Sequence, residues 1–296
     1  LLKHTIKQMK YLIVKAWNGF GDRFQCLKMV LHFCIQSKVP VLIDWSDTIW
    51  SHGSESFYKY FNLNLPTFKI EDIPEDATVF PPFWKDKLTL VLNETNINEN
   101  HLQLVDVNDN SKFFNRKFDE DVVVYTSIAR RRLYINFDIF IDVFKLIHPV
   151  ILQKVRERNR IHNLENKIGI HLRGTDRASR IDKEKRMTEL SIKLVSVGIL
   201  NGQQFIAVSD DPEFIRIWKA RYSFPVLTEV GNLGGNEGVH NKASFGSGIT
   251  KEQLNIDLLV DFFTLASCKT VITTAKDSRF ASEAIYMHSQ IKRILA

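Results

Sequence analysis

Within the run IGIHLRGTDR, Ile168 to Arg177, four residues can do chemistry: His171, Arg173, Asp176 and Arg177. A guanidinium offers a planar fork of donors that matches a phosphate or diphosphate better than an ammonium does. The apolar residues ahead of it, Ile168-Gly169-Ile170, read as the end of a buried strand. A strand that ends in Arg-Gly-Thr-Asp delivers a cation and a carboxylate to one sheet edge. In open α/β sheets ligands bind at that edge, beyond the carboxyl ends of the strands. Arg173 is therefore expected to hold a diphosphate, and the diphosphate of a nucleotide sugar fits best.

Two further polar constellations stand at expected strand ends. Ser209-Asp210-Asp211 follows the run QFIAV, and Thr273-Thr274 with Asp277-Ser278-Arg279 precedes the last long helix. Each also has a plain structural reading, since Asp210-Asp211 can cap the helix that opens at Pro212 and Ser278 can be an ordinary N-cap. Asp261 lies inside the apolar stretch LLVDFFTLASC. A carboxylate buried bare is costly, so it needs a partner. A ligand amide, a nearby arginine or backbone amides would serve.

Near the amino terminus, Trp17-Asn18-Gly19-Phe20-Gly21-Asp22-Arg23 joins a β-like run, Tyr11 to Ala16, to an amphipathic helical pattern, Asp22 to Ser37. Gly19 and Gly21 let the backbone come close to a ligand, and a helix amino terminus favours an anion. The loop has neither the third glycine of a dinucleotide fingerprint nor the GK[ST] of a phosphate loop. A tight turn with Asp22 as N-cap is the competing reading.

The elements that must position these residues alternate. In the first half, strands are expected at Val41 to Asp44, Lys87 to Leu92 and Val122 to Tyr125, and helices at Phe137 to Ile147 and Val150 to Arg160. Trp45 to Phe61 reads as a loop with a short helix and a packed aromatic cluster, with an acceptor cover as the other reading. Asn93 to Asn115 reads as a surface excursion. The second half continues with strands at Lys167 to Leu172, Gln204 to Ser209, Phe224 to Leu227, Thr270 to Thr274 and Ile291 to Leu295. Its helices are expected at Asp182 to Val197, Pro212 to Tyr222, Lys251 to Ala266 and Ser278 to His288, with a glycine-rich loop from Gly231 to Gly248. Such alternation indicates parallel sheets with helices on both faces. The domain junction falls near residues 148 to 166, dividing the chain into 1–150 and 151–296.

Composition narrows the classes. The chain has 296 residues, 44% hydrophobic and 25% charged, as an ordinary globular protein does. The net charge of +6 suits an anionic ligand but is too modest and dispersed to argue for nucleic acid. No apolar run reaches the roughly 18 residues of a membrane span. Cys26, Cys34 and Cys268 show no metal-ligand spacing and read as small buried side chains. Asn93-Glu94-Thr95 has the form of a glycosylation acceptor, which matters only in a secretory protein. Asp119-Glu120-Asp121 spells the DxD of metal-dependent sugar transferases, yet it precedes the apolar run VVVY instead of following it.

Taken in order, IGIHLRGTD, AVSDDPEF and DFFTLASCKTVITTAKDSRFASEA resemble the fucosyltransferase superfamily of α1,6-fucosyltransferases, nodulation fucosyltransferases and protein O-fucosyltransferases. The resemblance covers roughly residues 167 to 290. It implies a GT-B fold, two Rossmann-like domains facing a central cleft, with GDP-fucose held mainly by the second. It also implies inversion at the anomeric carbon and no metal or other cofactor. By the same resemblance Arg173 matches the phosphate-binding arginine, and His171 the histidine of the guanine and ribose pocket. Asp261 matches the acid that pairs with the guanine edge. Asp277, Ser278 and Arg279 fall where the family's turn binds phosphate, and His240-Asn241 matches a similar pair before the Asp helix. The GFGDRF loop, with Gly19, Gly21 and Arg23, is similar in position to the family's first glycine loop. Two departures stand out. The α1,6-enzymes carry a second arginine where Gly174 stands, and a carboxylate proposed as base where Ile181 stands. Asp182 is the nearest substitute, and Asp176 or, across the expected cleft, Asp22 are the other candidates.

The resulting expectation is an inverting, metal-independent glycosyltransferase that moves fucose from GDP-fucose to a hydroxyl of a glycan or glycoprotein. Another GDP- or UDP-sugar donor, or a non-catalytic nucleotide- or carbohydrate-binding module, remain as alternatives. A cytoplasmic location is expected, or the secretory lumen if an amino-terminal anchor was removed. The family's carboxyl-terminal return helix is not evident in the sequence, which reads as a fragment.

Overall fold

The computed structural model describes residues 9–51, 56–104, 117–127, 142–174, 180–230 and 248–295. The chain divides into two compact units, Leu1–Lys145 and Leu146–Ala296.

The first unit is built on β1 (Tyr11–Ala16), which pairs in parallel with β2 (Val41–Asp44) on one side and β5 (Val122–Ser127) on the other. The short β4 (Val79–Phe80) extends the sheet beyond β5, giving the order β2-β1-β5-β4. Helix α1 (Phe20–Ser37) returns the chain from β1 to β2, as parallel neighbours require. It ends where Lys38 takes a left-handed conformation, φ 57°, and its amide donates to Cys34 O. Cys26 and Cys34 lie buried along this helix. The aromatic run that follows β2 is a packed cluster: Trp45 meets Trp50 and Phe57, each at 5.0 Å between ring centroids. It includes the one-turn α2 (Phe57–Tyr60) and leads into β3 (Phe61–Leu63), which pairs with β6 (Phe144–Leu146).

Two expectations in this unit fail. Lys87 to Leu92 is not a strand. Leu92 is buried and Leu88 and Leu90 pack beside it, but the carbonyl of Leu90 accepts from Lys15 Nζ at 3.0 Å, not from a neighbouring strand. Alternating leucines therefore record a core face without a ladder. Of the helix expected over Phe137 to Ile147, residues 137–141 lie outside the described residues, Asp142 and Val143 are helical, and Phe144–Leu146 is a strand in which Phe144 and Leu146 turn inward and Lys145 outward. Most of Asn93 to Leu104 is helix α3 (Glu94–Leu104).

In the second unit, α4 (Pro149–His162) precedes β7 (Ile168–Leu172), the middle strand of the parallel sheet β8-β7-β9. Strand β8 is Phe205–Ser209 and β9 is Thr270–Thr273. Side chains alternate across β7. Ile168, Ile170 and Leu172 join one core with Phe205 and Ala207 of β8. Met187, Leu190 and Leu194 of α5 (Arg180–Ser196) and Phe214, Ile217 and Trp218 of α6 (Pro212–Arg221) complete it. Burying each such side chain contributes about 1.5–3 kcal/mol. The opposite face receives α7 (Lys251–Ala266) and α8 (Arg279–Met287). Gly169 lies there, and a Cβ on it would stand 3.0 Å from Leu265 and 3.1 Å from the Cys268 sulfur. A glycine is what lets α7 lie that close to the strand.

The stretch Phe224 to Leu227 makes only a bridge to β8, through Pro225 O and Leu227 N to Ala207. The last strand expected at Ile291 to Leu295 is instead a short helix, α9 (Ile291–Leu295). Ile291, Ile294 and Leu295 are buried while Lys292 and Arg293 are exposed, a spacing of three and four that suits a helix. Among the described residues no helix is long and apolar enough to cross a membrane.

Candidate functional site

Because β7, β8 and β9 are parallel, their carboxyl ends share one edge, and that edge gathers the three polar constellations. Arg173 is the first residue beyond β7. Its amide donates to Thr274 Oγ1 at 3.0 Å, and Thr274 N donates to His171 O at 3.1 Å, so the end of β9 fixes its backbone. Its guanidinium pairs through Nη1 with Asp210 Oδ2. The side chain keeps 22% of its surface open to solvent.

Asp210 and Asp211 are both buried at the end of β8 and have separate tasks. Asp210 holds Arg173 and also accepts the amide of Gly174 at 3.1 Å. Asp211 is the N-cap of α6, its Oδ1 accepting from Glu213 N at 2.8 Å and Phe214 N at 3.1 Å. Its Oδ2 lies 2.6 Å from Lys183 Nζ. Ser209 and Asp211, expected among the donor-binding residues, both have partners within the protein. Ser209 is wholly buried, its hydroxyl donating to Leu172 O at 2.8 Å. A Cβ on Gly174 would stand 2.5 Å from Phe214 and 2.8 Å from the Asp211 carboxyl carbon. The packing against α6 thus leaves no room for an arginine at this position.

His171 lies on the other face of β7, buried beneath α8. Its ring centroid is 5.3 Å from that of Phe280, and its Nδ1 is 3.2 Å from Ser278 Oγ. Burial pushes its pKa down to about 4; nearby Asp210 raises it in part and Arg173 lowers it further. The imidazole is therefore neutral near pH 7. Ser278 is the N-cap of α8, accepting from Ala281 N at 3.2 Å. The first turn of α8 thus stands beside the end of β9, with Asp277 exposed and Arg279 half-buried. A helix amino terminus in this place offers backbone amides to an anion.

Asp261 is fully buried in α7 and its two oxygens are met from within the protein. Oδ1 accepts from Arg158 Nη1 at 3.2 Å and from Glu229 N at 2.9 Å. Oδ2 accepts from Thr228 Oγ1 at 2.8 Å and from Val230 N at 3.3 Å. Arg158 also donates to Glu229 Oε1 at 2.6 Å and to Thr264 Oγ1 at 2.8 Å. Burial still raises the Asp261 pKa to about 6, against the pull of Arg158 and these donors. The pairing is the structural one that the sequence allowed, and it ties the segment before residue 231 to α4 and α7.

In the first unit the glycine loop does not make an open phosphate cradle of Arg23. That side chain is 0% exposed. Nη2 donates to Asp47 Oδ1 at 2.7 Å, Nε donates to Asn18 O at 2.8 Å, and Nη1 donates to Ala16 O at 3.2 Å. Its guanidinium lies 5.5 Å from the Trp45 ring and 5.3 Å from the Trp50 ring. Arg23, expected among the donor-binding residues, thus clamps the β1–α1 turn. Gly19 is the N-cap position of α1, with open space where a side chain would be. Gly21 is buried within the first turn of that helix, and Asp22 follows it, partly buried. Asp121 of the DxD spelling accepts from Thr78 Oγ1 at 2.8 Å at the amino end of β5, a structural place. Among the described residues no group of three or more His, Cys, Asp or Glu is placed to hold a metal ion.

No protein-family model matches the chain, and no curated protein does. Solved structures do. NodZ α1,6-fucosyltransferase co-crystallised with GDP superposes with a TM-score of 0.61 at 15% identity, over 94% of this chain and 92% of the other. The same enzyme soaked with GDP-fucose gives 0.60 at 14%, over 95% and 92%. A mutant of Arabidopsis thaliana FUT1 in complex with GDP gives 0.54 at 13%, over 95% and 69%. The chain has a fucosyltransferase-like GT-B fold.

Within this fold, sequence reasoning placed Arg173, Asp210, Ser278 and His171 on one sheet edge. Asp176 and the pair His240-Asn241 lie outside the described residues. Asp182 is exposed in the first turn of α5. Three contributors were not singled out: Lys183, Arg158 and Phe280. The first two are charged residues on helices with many charges, which ordinarily face water. Only their tertiary partners mark them.

Proposed function

We propose that the chain is a glycosyltransferase that takes a nucleotide sugar, GDP-fucose before others, and transfers the sugar to a hydroxyl of a glycan or glycoprotein. The observation that carries this is Arg173. A guanidinium that keeps about a fifth of its surface in solvent stands at the carboxyl end of the middle strand, with its backbone fixed by Thr274 and its side chain by Asp210. The GDP and GDP-fucose complexes of proteins with this fold support the choice of donor.

In this reading Arg173 and the amides opening α8 neutralise charge on the leaving diphosphate, and no metal is required. Such preorganised donors act where charge develops in the transition state. His171, neutral and buried, offers a hydrogen-bonding edge and not a charge. Inversion needs a base that takes the proton of the acceptor hydroxyl. Asp182, Asp176 and Asp22 are the carboxylates to test by single alanine substitution. Asp277, Ser278 and Arg279 are assigned to the phosphates.

The Arg173–Asp210 ion pair favours one second reading, a nucleotide-binding module without turnover, because Asp210 already offsets the charge a leaving group would use. Incubation with GDP-fucose, other GDP-sugars and UDP-sugars, together with a mixture of glycan acceptors, separates the two. Release of GDP and labelled product, unchanged by EDTA, is the expected result. Binding of GDP without any product would establish the module instead, and no binding of either nucleotide would overturn both.

A further inference from the structure

Residues on two elements, the end of β7 and the first turn of α5, meet the same pair of adjacent acids. At the start, Gly174 N donates to Asp210 Oδ1 at 3.1 Å and Arg173 pairs with Asp210 Oδ2. Ten residues on from Arg173, Lys183 places Nζ 2.6 Å from Asp211 Oδ2. Both aspartates and Lys183 are buried. Two adjacent buried carboxylates are thus met by two cations, one of them the arginine at the proposed site. The Asp211 carboxyl also lies against the backbone of Gly174, next to Arg173.

We propose that Lys183 is a positioning residue for Arg173, holding the charge of Asp211 so that the guanidinium and the field at the strand ends remain available to an anion. This rests on the reading of Arg173 as the diphosphate ligand. Without the ammonium, Asp211 keeps only the amides of its cap, and its buried charge, next to the backbone of Gly174, has no cation to offset it. It lowers the positive potential there and competes with a diphosphate for the guanidinium. Lys183 is suited to this and not to holding α5 in place. That helix is already fixed to α6 by the apolar contacts of Met187, Leu190 and Leu194, and by the 2.6 Å contact between Ser191 and Tyr222.

The test is titration calorimetry with GDP and with UDP on the whole chain, alongside melting temperatures. Four variants are compared with the parent: Lys183→Met, Lys183→Arg, Lys183→Met with Asp211→Asn, and Arg173→Ala. Asparagine keeps the N-cap and removes the charge. Lys183→Met is expected to weaken nucleoside diphosphate binding on the order of tenfold, as coupled neighbours do. Lys183→Arg and the double variant should return to within about threefold of the parent. Recovery in the double variant distinguishes charge balance from a structural role, which would leave it as weak as Lys183→Met. That weak double variant, or Lys183→Met binding as the parent does while Arg173→Ala fails to bind, overturns the inference alone. Arg173→Ala binding as the parent does removes the diphosphate reading and the inference with it.

Discussion

Each unit carries an arginine just beyond the carboxyl end of a strand in its parallel sheet, and the two have opposite fates. Arg23, seven residues after β1 ends, is sealed by Asp47, two backbone carbonyls and two indole rings. Arg173, directly after β7, keeps about a fifth of its surface in solvent and meets Asp210. The difference lies in what the chain brings over each edge. After β2 the run Trp45 to Phe61 folds aromatic mass onto Arg23. Among the described residues, Arg173 is met by the short polar ends of β8 and β9. A cation wrapped in aromatic rings and matched to a buried carboxylate stabilises a fold, while the proposed ligand role falls to the arginine that keeps part of its surface in solvent.

The comparison breaks first at Arg23. Arg23→Met leaves Asp47 buried and unpaired, and should lower unfolding free energy by about 3–5 kcal/mol in urea titrations. A loss below 1 kcal/mol would mean that this arginine is not the clamp described. Next, Arg173→Ala should lower transfer by at least about a hundredfold, with a melting temperature near that of the parent. Near-normal turnover would remove the asymmetry between the two arginines.

The pH dependence of stability sharpens the picture of the second edge. His171 has a folded pKa lowered to about 4, so the folded state binds fewer protons than the unfolded state and stability is lost as pH falls from 6.5 toward 4. Asp261 has a folded pKa raised to about 6, so the folded state binds more protons and stability is lost as pH rises from 3.8 toward 6. Each contributes about 3 kcal/mol across its window, with opposite sign. The parent should therefore show little net slope from these two groups. Denaturant melts of His171→Phe should show stability falling as pH rises from 4 to 6, and those of Asp261→Asn the reverse. Equal slopes in both variants would mean that the pKa assignments are wrong. The smallest effect is at Ser278, where alanine removes a cap and should cost about 1 kcal/mol in the same melts. A null result there would assign the start of α8 to packing.

Much of the parallel architecture was legible because most strands of the two parallel sheets are short apolar runs, and several of them are followed by a helical period. Tyr11–Ala16, Val41–Asp44 and Lys251–Ala266 fall where the sequence puts them. Two of the failures share a cause. KLTLVL and IKRIL are apolar segments too short for their period to choose between strand, helix and unpaired extended chain. For them the choice depends on whether a ladder partner stands alongside. The site was legible as residue types at strand ends. Which of those residues face inward was not, because capping, ion pairing and ligand binding all use the same aspartates and serines.

The sequence by itself determined that an arginine, a histidine and a cluster of hydroxyls and carboxylates gather at the end of a middle strand, since strand period and parallel connection fix which ends share an edge. Tertiary structure alone decided how they divide the work. Asp211 went to a helix cap and Lys183, Asp261 to Arg158, Asp210 to Arg173, and Arg23 to a closed aromatic pocket. The reason is that a buried charge must be matched by whichever partner the packing brings within about 3 Å, and no local pattern in the chain records that distance.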